Sequence, residues 1–404
     1  MIAKRQAQSL TQLVRMSPQL PLKEPLQMSA TCSDRVIVNS WNEWDPLKHI
    51  IVGVATNGCF APSEHAFKYH NYDESGRELT GPMPQHILDK GNEELDNLAN
   101  VLRKRGIRVD RPTAIDFSQP VITPDFTIPS MIGSMPARDV LLTVGNEILE
   151  AAMSYRSRYF EYLAYRPLLE QYFESDPNFI HASAPKPRCS DASYDVNFFA
   201  NDRYVNHEHI ISRANNQHYV TTEKEILFDA ADATRCGRDI FVQHGFTTNL
   251  KGIEWLRRHY PNHRIHKVYF LNDPDPIHID CSLVPLRPGL VMCNPNRPMV
   301  MEPGKEDFFA RNGWEIVMAA RPAHDKQVPL CSYSIWLSMN FLTLDPKTVI
   351  CEETEVYQND QLDKLGFEVI TIPFRNAYAF GGSIHCATAD VYREGGCQDY
   401  FPNQ

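Results

Sequence analysis

The sequence has no long apolar run, no paired-cysteine motif and no excess of basic charge. No apolar stretch reaches the ~20 residues that a membrane-spanning helix needs. The ten cysteines are scattered without a CxxC pair, which argues against a zinc ribbon or a disulfide framework and for buried thiols in a reducing compartment. A formal net charge of −10 argues against nucleic-acid binding. What remains is the composition of a soluble globular protein, 43% hydrophobic and 22% charged.

The beginning of the chain differs from the rest in composition. Residues 1–36 carry five basic side chains against two acidic ones and show little periodic hydrophobicity. This pattern predicts a flexible tail, and the alternative is an organelle transit peptide, since such peptides are basic and poor in acids. No hydrophobic segment follows the early positive charges, which argues against a secretory signal. We expect one domain over residues 37–404 in a cytoplasmic protein, or a mitochondrial one if the tail is a transit peptide.

A unit of apolar strand, helix and second strand recurs five times along the chain. In the first unit, Ile50-Ile-Val-Gly precedes a helix over residues 93–105 with apolar residues at 3/4 spacing. The later units begin at Val140, with a helix over 158–173, and at Ile240, Leu290 and Thr348. Such units cannot each bury an apolar face alone, so the repeat predicts an α/β fold in which they share one core around an axis. The connections near 55–90 and 180–225 are predicted to be loops and lids.

Polar residues precede the first strand of successive units or of the C-terminal segment 387–392. They are Asp139, Asp229, His278, Asp280, Ser334 and Cys386. If the units surround an axis, these side chains converge. A thiol beside an imidazole is an activated nucleophile, and paired carboxylates recognise a planar guanidinium by charge-assisted hydrogen bonds. The Gly381-Gly382 pair allows close approach of backbone to a substrate.

A metal site is the alternative for some of these residues. Suitable ligand types occur in His278-x-Asp280 with Cys386 or Cys281, and in His207-Glu-His209 if that segment is a strand. No spacing matches a strong zinc signature. We therefore expect no metal and no organic cofactor, with His207 and His209 as loop or surface residues.

Longer motifs connect the chain to a known family. They are Asn42-Glu-Trp-Asp-Pro-Leu, Thr123-Pro-Asp-Phe, Val144-Gly-Asn-Glu-Ile, Arg156-Ser-Arg, Ala184-Pro-Lys-Pro, Phe228-Asp-Ala-Ala-Asp, Gly252-Ile-Glu-Trp-Leu-Arg-Arg-His, His278-Ile-Asp, Trp336-Leu-Ser-Met-Asn and His385-Cys386. On these motifs the chain, from about Val38 to Arg393, resembles the arginine:glycine and arginine:inosamine-phosphate amidinotransferases. The resemblance implies a five-bladed α/β-propeller.

The resemblance also implies a reaction and its catalytic residues. Cys386 would be the nucleophile that carries the amidino group of L-arginine, His278 the general acid/base, and Asp229 the partner that orients it. An amine acceptor would then take the group in a ping-pong reaction that releases L-ornithine. The resemblance is compatible with a homodimer, although no residue pattern in the chain demonstrates one.

Further positions carry substrate-binding roles by the same resemblance. Asp139 and Asp280 would grip the guanidinium, Arg297 would pair with the arginine carboxylate, and Ser334 would add a hydrogen bond. Two segments depart from the family pattern. Met135-Pro-Ala-Arg-Asp139 is one residue longer than the family's Met-Pro-Arg-Asp, and the family's Ser-Ser pair is Tyr333-Ser334 here.

The acceptor loop departs as well. Glycine-specific members have Asn and Met where this chain has Asp275 and Ile277. A carboxylate at 275 would repel an acceptor carboxylate and attract a second cation, so we expect an acceptor other than glycine: a diamine, a lysine-like amine or a natural-product amine. Transfer to glycine is the alternative. Rival activities are a guanidine hydrolase of the arginine deiminase type, which shares the Cys, His and carboxylates, and a catalytically silent binding protein.

Overall fold

The computed structural model describes residues 36–67, 79–199, 207–331 and 333–404, so residues 1–35 of the predicted tail lie outside the described residues. Within those ranges, no helix is both long and apolar enough to cross a membrane. The helices are α1 (Gln85–Lys104), α2 (Ala137–Val140), α3 (Arg166–Ser175), α4 (His207–Asn215), α5 (Leu250–His259), α6 (Phe308–Arg311) and α7 (Val356–Lys364). The strands are β1 (Leu47–Val52), β2 (Cys59–Phe60), β3 (Gly81–Pro82), β4 (Arg108–Asp110), β5 (Val121–Ile122), β6 (Thr127–Ile128), β7 (Leu141–Val144), β8 (Glu147–Glu150), β9 (Ile180–Ser183), β10 (Ala233–Cys236), β11 (Asp239–Gln243), β12 (Arg264–Phe270), β13 (Leu283–Arg287), β14 (Leu290–Cys293), β15 (Met299–Met301), β16 (Glu315–Met318), β17 (Leu342–Asp345), β18 (Thr348–Glu352), β19 (Glu368–Ile372) and β20 (Thr388–Arg393).

Five sheets share one pattern. In each, a first strand pairs antiparallel with a second, and the second pairs parallel with a third: β20-β1-β4, β7-β8-β9, β10-β11-β12, β13-β14-β16 and β17-β18-β19. A helix lies between the second and third strands along the chain, as a parallel connection requires. The β15 strand extends the third sheet. The first sheet takes its first strand, β20, from the end of the chain, so both ends of the described domain meet in one sheet.

The five sequence units correspond to these sheets, with two corrections. The unit predicted at Val140 begins with β7, which is an antiparallel first strand, and its parallel pair is β8 and β9. The helix predicted over 158–173 is instead two 3-10 turns, Arg156–Arg158 and Glu161–Ala164, followed by α3. Pro167 in the first turn of α3 favours a helix start there, because proline lacks the amide that an interior position would need.

The sequence patterns did not predict the first strands of three other sheets. They are β10, β13 and β17, each four or five residues long. The β10 segment, Ala233-Thr-Arg-Cys236, shows why. Its arginine is a charged residue that is nevertheless buried. The segment therefore lacks the alternation of exposed polar and buried apolar residues that normally identifies a half-exposed strand. The segment predicted as loop over 180–225 likewise contains a helix, α4.

Apolar residues of α1 pack with the first sheet. Leu95, Leu98 and Leu102 are fully buried in the same cluster as Ile50 and Val52 of β1. Each such side chain contributes roughly 1.5–3 kcal/mol by leaving water. The predicted apolar face of this helix is therefore confirmed, although Val101 is only half-buried.

A buried ion network connects the first strands of the first and third sheets. Arg235 of β10 lies 2.8 Å from Glu43 and 2.6 Å from Asp390 of β20. Arg138 and Arg393 also contact Asp390, at 3.0 and 2.8 Å. All five side chains are buried, so loss of one partner would leave an uncompensated charge in the interior. The network holds β20, which follows Cys386, and the segment before β1 in a fixed relation.

Candidate active site

The predicted polar residues lie at equivalent places in the five sheets. Each comes shortly before a first strand: Asp139 before β7, Asp229 before β10, Asp280 before β13, Ser334 before β17 and Cys386 before β20. The extra residue in segment 135–139 does not displace Asp139, which sits buried in α2. Equivalent positions in repeated sheets therefore bring these side chains to one place.

Cys386 lies in the connection between a 3-10 turn, Ala377–Phe380, and β20. Its thiol is buried, with Sγ 3.5 Å from Asp280 Oδ2 and 3.1 Å from Nδ2 of Asn340. Gly382, at φ +150°, passes so close that an added Cβ would lie 2.4 Å from the Cβ of Cys386. Burial, with the charges of Asp280 and Asp139, raises the pKa of the thiol well above its usual range. Before substrate enters, the thiol is therefore protonated.

His278 follows the loop over 271–277 and takes a left-handed backbone conformation, φ +55°. Its amide donates to Asp232 Oδ1 at 3.1 Å, and its Nε2 lies 3.2 Å from Asp229 Oδ2. Its Nδ1 lies 3.6 Å from Asp139 Oδ1. Burial acts to lower the pKa of His278, but the surrounding carboxylates outweigh it and raise the pKa to about 10. The imidazole is therefore a proton donor at neutral pH.

Asp229, the partner of His278, is itself fixed by a separate segment. The amide and hydroxyl of Ser154 both donate to Asp229 Oδ1, at 3.1 and 3.2 Å. One carboxylate oxygen is thus occupied by Ser154 and the other faces the imidazole. This arrangement orients His278 in the way that a carboxylate orients a catalytic histidine in other enzymes.

Asp139 and Asp280 each present one oxygen to the site. Asp139 Oδ2 accepts a hydrogen bond from Arg158 at 2.7 Å. Asp280 Oδ2 lies 2.8 Å from Nδ1 of His385, which is hydrogen-bond distance. Among the described residues, Oδ1 of each carboxylate is buried without a hydrogen-bond partner. A buried carboxylate oxygen without a partner is costly, so the pair is prepared for a ligand with N–H donors.

The two carboxyls have opposite pKa shifts. Burial raises the pKa of Asp139 in spite of the nearby His278 and Arg158. Asp280 is equally buried, yet the hydrogen bond and charge of His385 lower its pKa. A cation bound between them would favour the ionised form of both.

Arg297 and Ser334 form a second polar group. Arg297 is buried, donates to Ser334 Oγ at 2.9 Å, and lies 3.2 Å from Asp273 Oδ1 through Nε. Burial raises the pKa of Asp273 to about 7, against the effect of Arg297. Asp273 therefore contacts the Nε side of the Arg297 guanidinium.

Asp275 and Ile277 lie in the loop that leads to His278. The amide of Asp275 donates to Asp273 Oδ1 at 2.9 Å, and Ile277 packs against the apolar cluster of Phe198 and Phe246. The charge of Asp275 contributes to a raised pKa of Tyr155, for which burial is the larger cause. The loop therefore brings a carboxylate toward Tyr155, which follows Ser154, the residue that donates to Asp229.

Several residues of the site received no role from the sequence, among them Arg158, Asp273, Asn340 and His385. Arg158, Asn340 and His385 lie within family motifs given above, so the sequence did mark these positions without indicating their contacts. Their partners are 19, 46 and 105 positions away in the chain. Such pairings depend on tertiary structure and cannot be read from local spacing.

The predicted alternatives for a metal site are not brought together as a ligand group. His207 and His209 lie on helix α4, where positions i and i+2 face different directions, so the strand-based pairing is wrong. In the described part of the chain, one group of three has ligand atoms within 4.8 Å of one another: His324, Glu352 and Glu355. Glu352 accepts from Thr354, and Glu355 faces Arg375 at 3.4 Å, so these carboxylates already have protein partners.

Comparison with known proteins identifies the family. The arginine deiminase family model matches residues 331–393. The chain is 39% identical over 388 residues to the mitochondrial glycine amidinotransferase of Danio rerio, covering 95% of this chain and 89% of the relative. It is 39% identical over 373 residues to the L-arginine:L-lysine amidinotransferase of Pseudomonas savastanoi pv. phaseolicola, covering 90% of this chain and 96% of the relative.

A solved structure gives the same result. SxtG, an amidinotransferase from Microseira wollei in the saxitoxin biosynthetic pathway, superposes with a TM-score of 0.78 at 37% identity, covering 90% of this chain and 99% of that chain. The predicted α/β class is confirmed by this likeness. Identity at this level over nearly the full length of both partners shows that the chain belongs to the amidinotransferase family, transferases that act on the amidino group of arginine.

Proposed function

We propose that the enzyme transfers the amidino group of L-arginine to an amine acceptor through an amidino-cysteine on Cys386, releasing L-ornithine. The observation that carries the proposal is the pair of buried oxygens, Asp139 Oδ1 and Asp280 Oδ1, that have no hydrogen bond within the described structure. They lie beside a thiol and an imidazole, and a guanidinium offers N–H donors to both carboxylates at once.

Arginine binding would activate the nucleophile. Its guanidinium cation, placed between Asp139 and Asp280, offsets the negative charges that keep Cys386 protonated, and the thiol proton leaves to solvent. Arg297 and Ser334 bind the α-carboxylate of arginine. The cationic guanidine carbon is then electrophilic toward the thiolate.

The first half-reaction uses the imidazolium of His278. The thiolate attacks the guanidine carbon, His278 gives its proton to the departing nitrogen, and the carbon–nitrogen bond to ornithine breaks. The products are a cationic amidino-cysteine, neutral ornithine amine and neutral His278. Asp229 keeps the imidazole in position throughout.

The second half-reaction reverses these steps with a different amine. The neutral acceptor amine attacks the amidino carbon, its proton goes to His278, and the carbon–sulfur bond breaks. Thiolate and imidazolium are both restored, so no metal or organic cofactor is required by the balance of atoms and charge.

We propose an acceptor with a second cationic group: a diamine, a lysine-like amine or a natural-product amine. Asp275 supports this, because a carboxylate ~4 Å from an acceptor carboxylate costs roughly 1–4 kcal/mol, depending on the effective dielectric. Glycine remains the alternative acceptor. The relatives that act with glycine and with lysine are equally similar to the chain, 39% in both cases, so overall identity does not choose between them.

Three further proposals concern the molecule as a whole. The five equivalent sheets support a five-bladed α/β-propeller with residues 37–404 as one domain. The resemblance supports a homodimer. The enzyme is cytoplasmic, unless residues 1–36 are a transit peptide; the vertebrate relatives are named mitochondrial.

Mass spectrometry of products tests the proposal. The protein is incubated with arginine alone and then with a panel of amines, beside Cys386→Ala and, as a matched buried-thiol control, Cys293→Ala. Ornithine with a guanidinylated amine, lost only in Cys386→Ala, is the expected result. Citrulline without a guanidinylated product would instead establish the hydrolase suggested by the arginine deiminase match, and activity in Cys386→Ala would exclude the covalent mechanism.

A further inference from the structure

His385, the residue before the nucleophile, contacts one of the guanidinium-binding carboxylates. Its Nδ1 lies 2.8 Å from Asp280 Oδ2. That same oxygen is 3.5 Å from Cys386 Sγ, whereas Asp280 Oδ1 is buried and without a partner in the described structure. One oxygen is thus anchored by the histidine while the other is left for substrate.

The second ring nitrogen of His385 faces another carboxylate. Its Nε2 lies 3.7 Å from Glu43 Oε2, which is too long for a direct hydrogen bond. A cavity of about 20 Å³ is bordered by Glu43, Asp280 and His385, large enough for about one water. Glu43 is itself held by Arg235 at 2.8 Å.

The other guanidinium-binding carboxylate also faces an imidazole, but through its other oxygen. Arg158 anchors Asp139 Oδ2, while Asp139 Oδ1 lies 3.6 Å from Nδ1 of His278, whose Nε2 faces Asp229. Each binding carboxylate therefore contacts the Nδ1 of an imidazole, and the Nε2 of each imidazole is directed to a second carboxylate. The two histidines differ in their proposed roles, because only His278 is proposed to transfer a proton to and from substrate.

We propose that His385, with Glu43 behind it, is a positioning residue that fixes the orientation and charge of Asp280 for binding the guanidinium. The inference rests on the proposed function, since it assigns a role within the same site. Donation from Nδ1 to Oδ2 sets the plane of the carboxylate, so that Oδ1 points to the ligand. The charged groups facing His385 are Asp280 and Glu43, and Arg138 donates to its backbone carbonyl at 3.1 Å.

The ionisation of Asp280 agrees with this geometry. Burial alone would raise its pKa, yet the bond from His385 holds that pKa below its ordinary value. Without His385 the carboxyl would be protonated at higher pH, and a neutral carboxyl binds a cation less well.

The test compares His385→Ala and His385→Asn with wild type. We expect His385→Ala to raise KM for arginine about tenfold or more, because a hydrogen bond to a charged group is lost, and to move the acid limb of kcat/KM to higher pH. His385→Asn should recover most of the KM, since its amide nitrogen can donate to Asp280 as Nδ1 does. His49→Ala is the matched control: His49 is a buried histidine 2.7 Å from Asp110, and its loss should leave KM and the acid limb unchanged.

Two outcomes would overturn the assignment. One is a His385→Ala enzyme with wild-type KM and acid limb, and the other is a His385→Asn enzyme as impaired as His385→Ala. Arginine binding is also measured by calorimetry with each change combined with Cys386→Ala. Weakened binding in the alanine variant, restored by asparagine, supports the role of His385 even if wild type forms no ornithine, whereas absent ornithine alone would contradict the proposed function.

Discussion

Asn340 contacts Cys386 through both ends of its side-chain amide. Nδ2 donates to Sγ at 3.1 Å, and Oδ1 accepts from the backbone amide of Cys386 at 3.0 Å. The donor stabilises a thiolate, and the acceptor fixes the backbone on which the thiolate is carried. One buried residue therefore acts on both the charge and the position of the Cys386 thiol, the proposed nucleophile.

Replacing Asn340 with leucine should slow the first half-reaction. Loss of a hydrogen bond to a charged sulfur predicts a decrease of about 10–100-fold in kcat/KM for arginine, measured by ornithine release. Asn359→Leu, at an amide that donates to the carbonyl of Glu352, serves as control. Equal activity of Asn340→Leu and wild type would show that the thiolate does not need this donor.

Gly382→Ala should inactivate the enzyme while the fold persists. An added Cβ would lie 2.6 Å from Cys386 Sγ, so the thiol must move, and if it is the nucleophile a displacement near 1 Å costs on the order of 100-fold in rate. Gly396→Ala is the control, because no atom lies within 4 Å of its added Cβ. Turnover and melting temperature are measured for both, and full turnover in Gly382→Ala would contradict the tight contact.

His278 should stabilise the fold in a pH-dependent way. Its folded pKa is raised to about 10 from an unfolded value near 6.5. The stabilisation is therefore complete below pH ~6.5 and is lost as pH rises toward 10. Urea unfolding of wild type and His278→Asn between pH 6 and 10 should show a difference in unfolding free energy that shrinks with rising pH.

His49 provides the opposite case in the same experiment. Burial is the main cause that lowers its pKa, so it is neutral in the folded state. Wild type should lose stability relative to His49→Asn as pH falls below the unfolded value of about 6.5. Parallel slopes for the two variants would contradict the charge states assigned to both histidines.

Asp275→Asn should change the choice of acceptor. Removing the carboxylate relieves repulsion of an acceptor carboxylate and removes attraction for a second cation, so kcat/KM for glycine relative to a diamine should rise about tenfold or more. Rates with arginine as donor and each amine as acceptor measure the ratio. Asp325→Asn, outside the site, is the control. An unchanged ratio would remove the charge argument for the acceptor.

The sequence predicted much of the fold because the repeated unit and the local spacing of apolar residues indicate the same strands and helices. Leu95, Leu98 and Leu102 have helical spacing and are buried as expected. The β10 strand was missed because Arg235, buried in an ion network, breaks the pattern of alternation. Local pattern cannot show that a charged residue is neutralised by partners 192 and 155 positions away.

The same limit applies to the site. The repeat phase brings Asp139, Asp229 and Cys386 to equivalent positions, and the structure places them in one site. The contacts that tune them, such as His385 with Asp280 at 2.8 Å and Arg158 with Asp139 at 2.7 Å, depend on how separate segments of the chain pack against one another. No spacing rule predicts such distances.

The pairing of β1 with β20 has a consequence for synthesis of the protein. Until β20 has left the ribosome, β1 lacks its antiparallel neighbour and exposes unpaired backbone, a surface prone to association with other chains. Cys386, the proposed nucleophile, lies two residues before β20, so a nascent chain without β20 can complete neither its first sheet nor the proposed active site. Pairing across some 340 residues also raises the contact order, which favours slow folding.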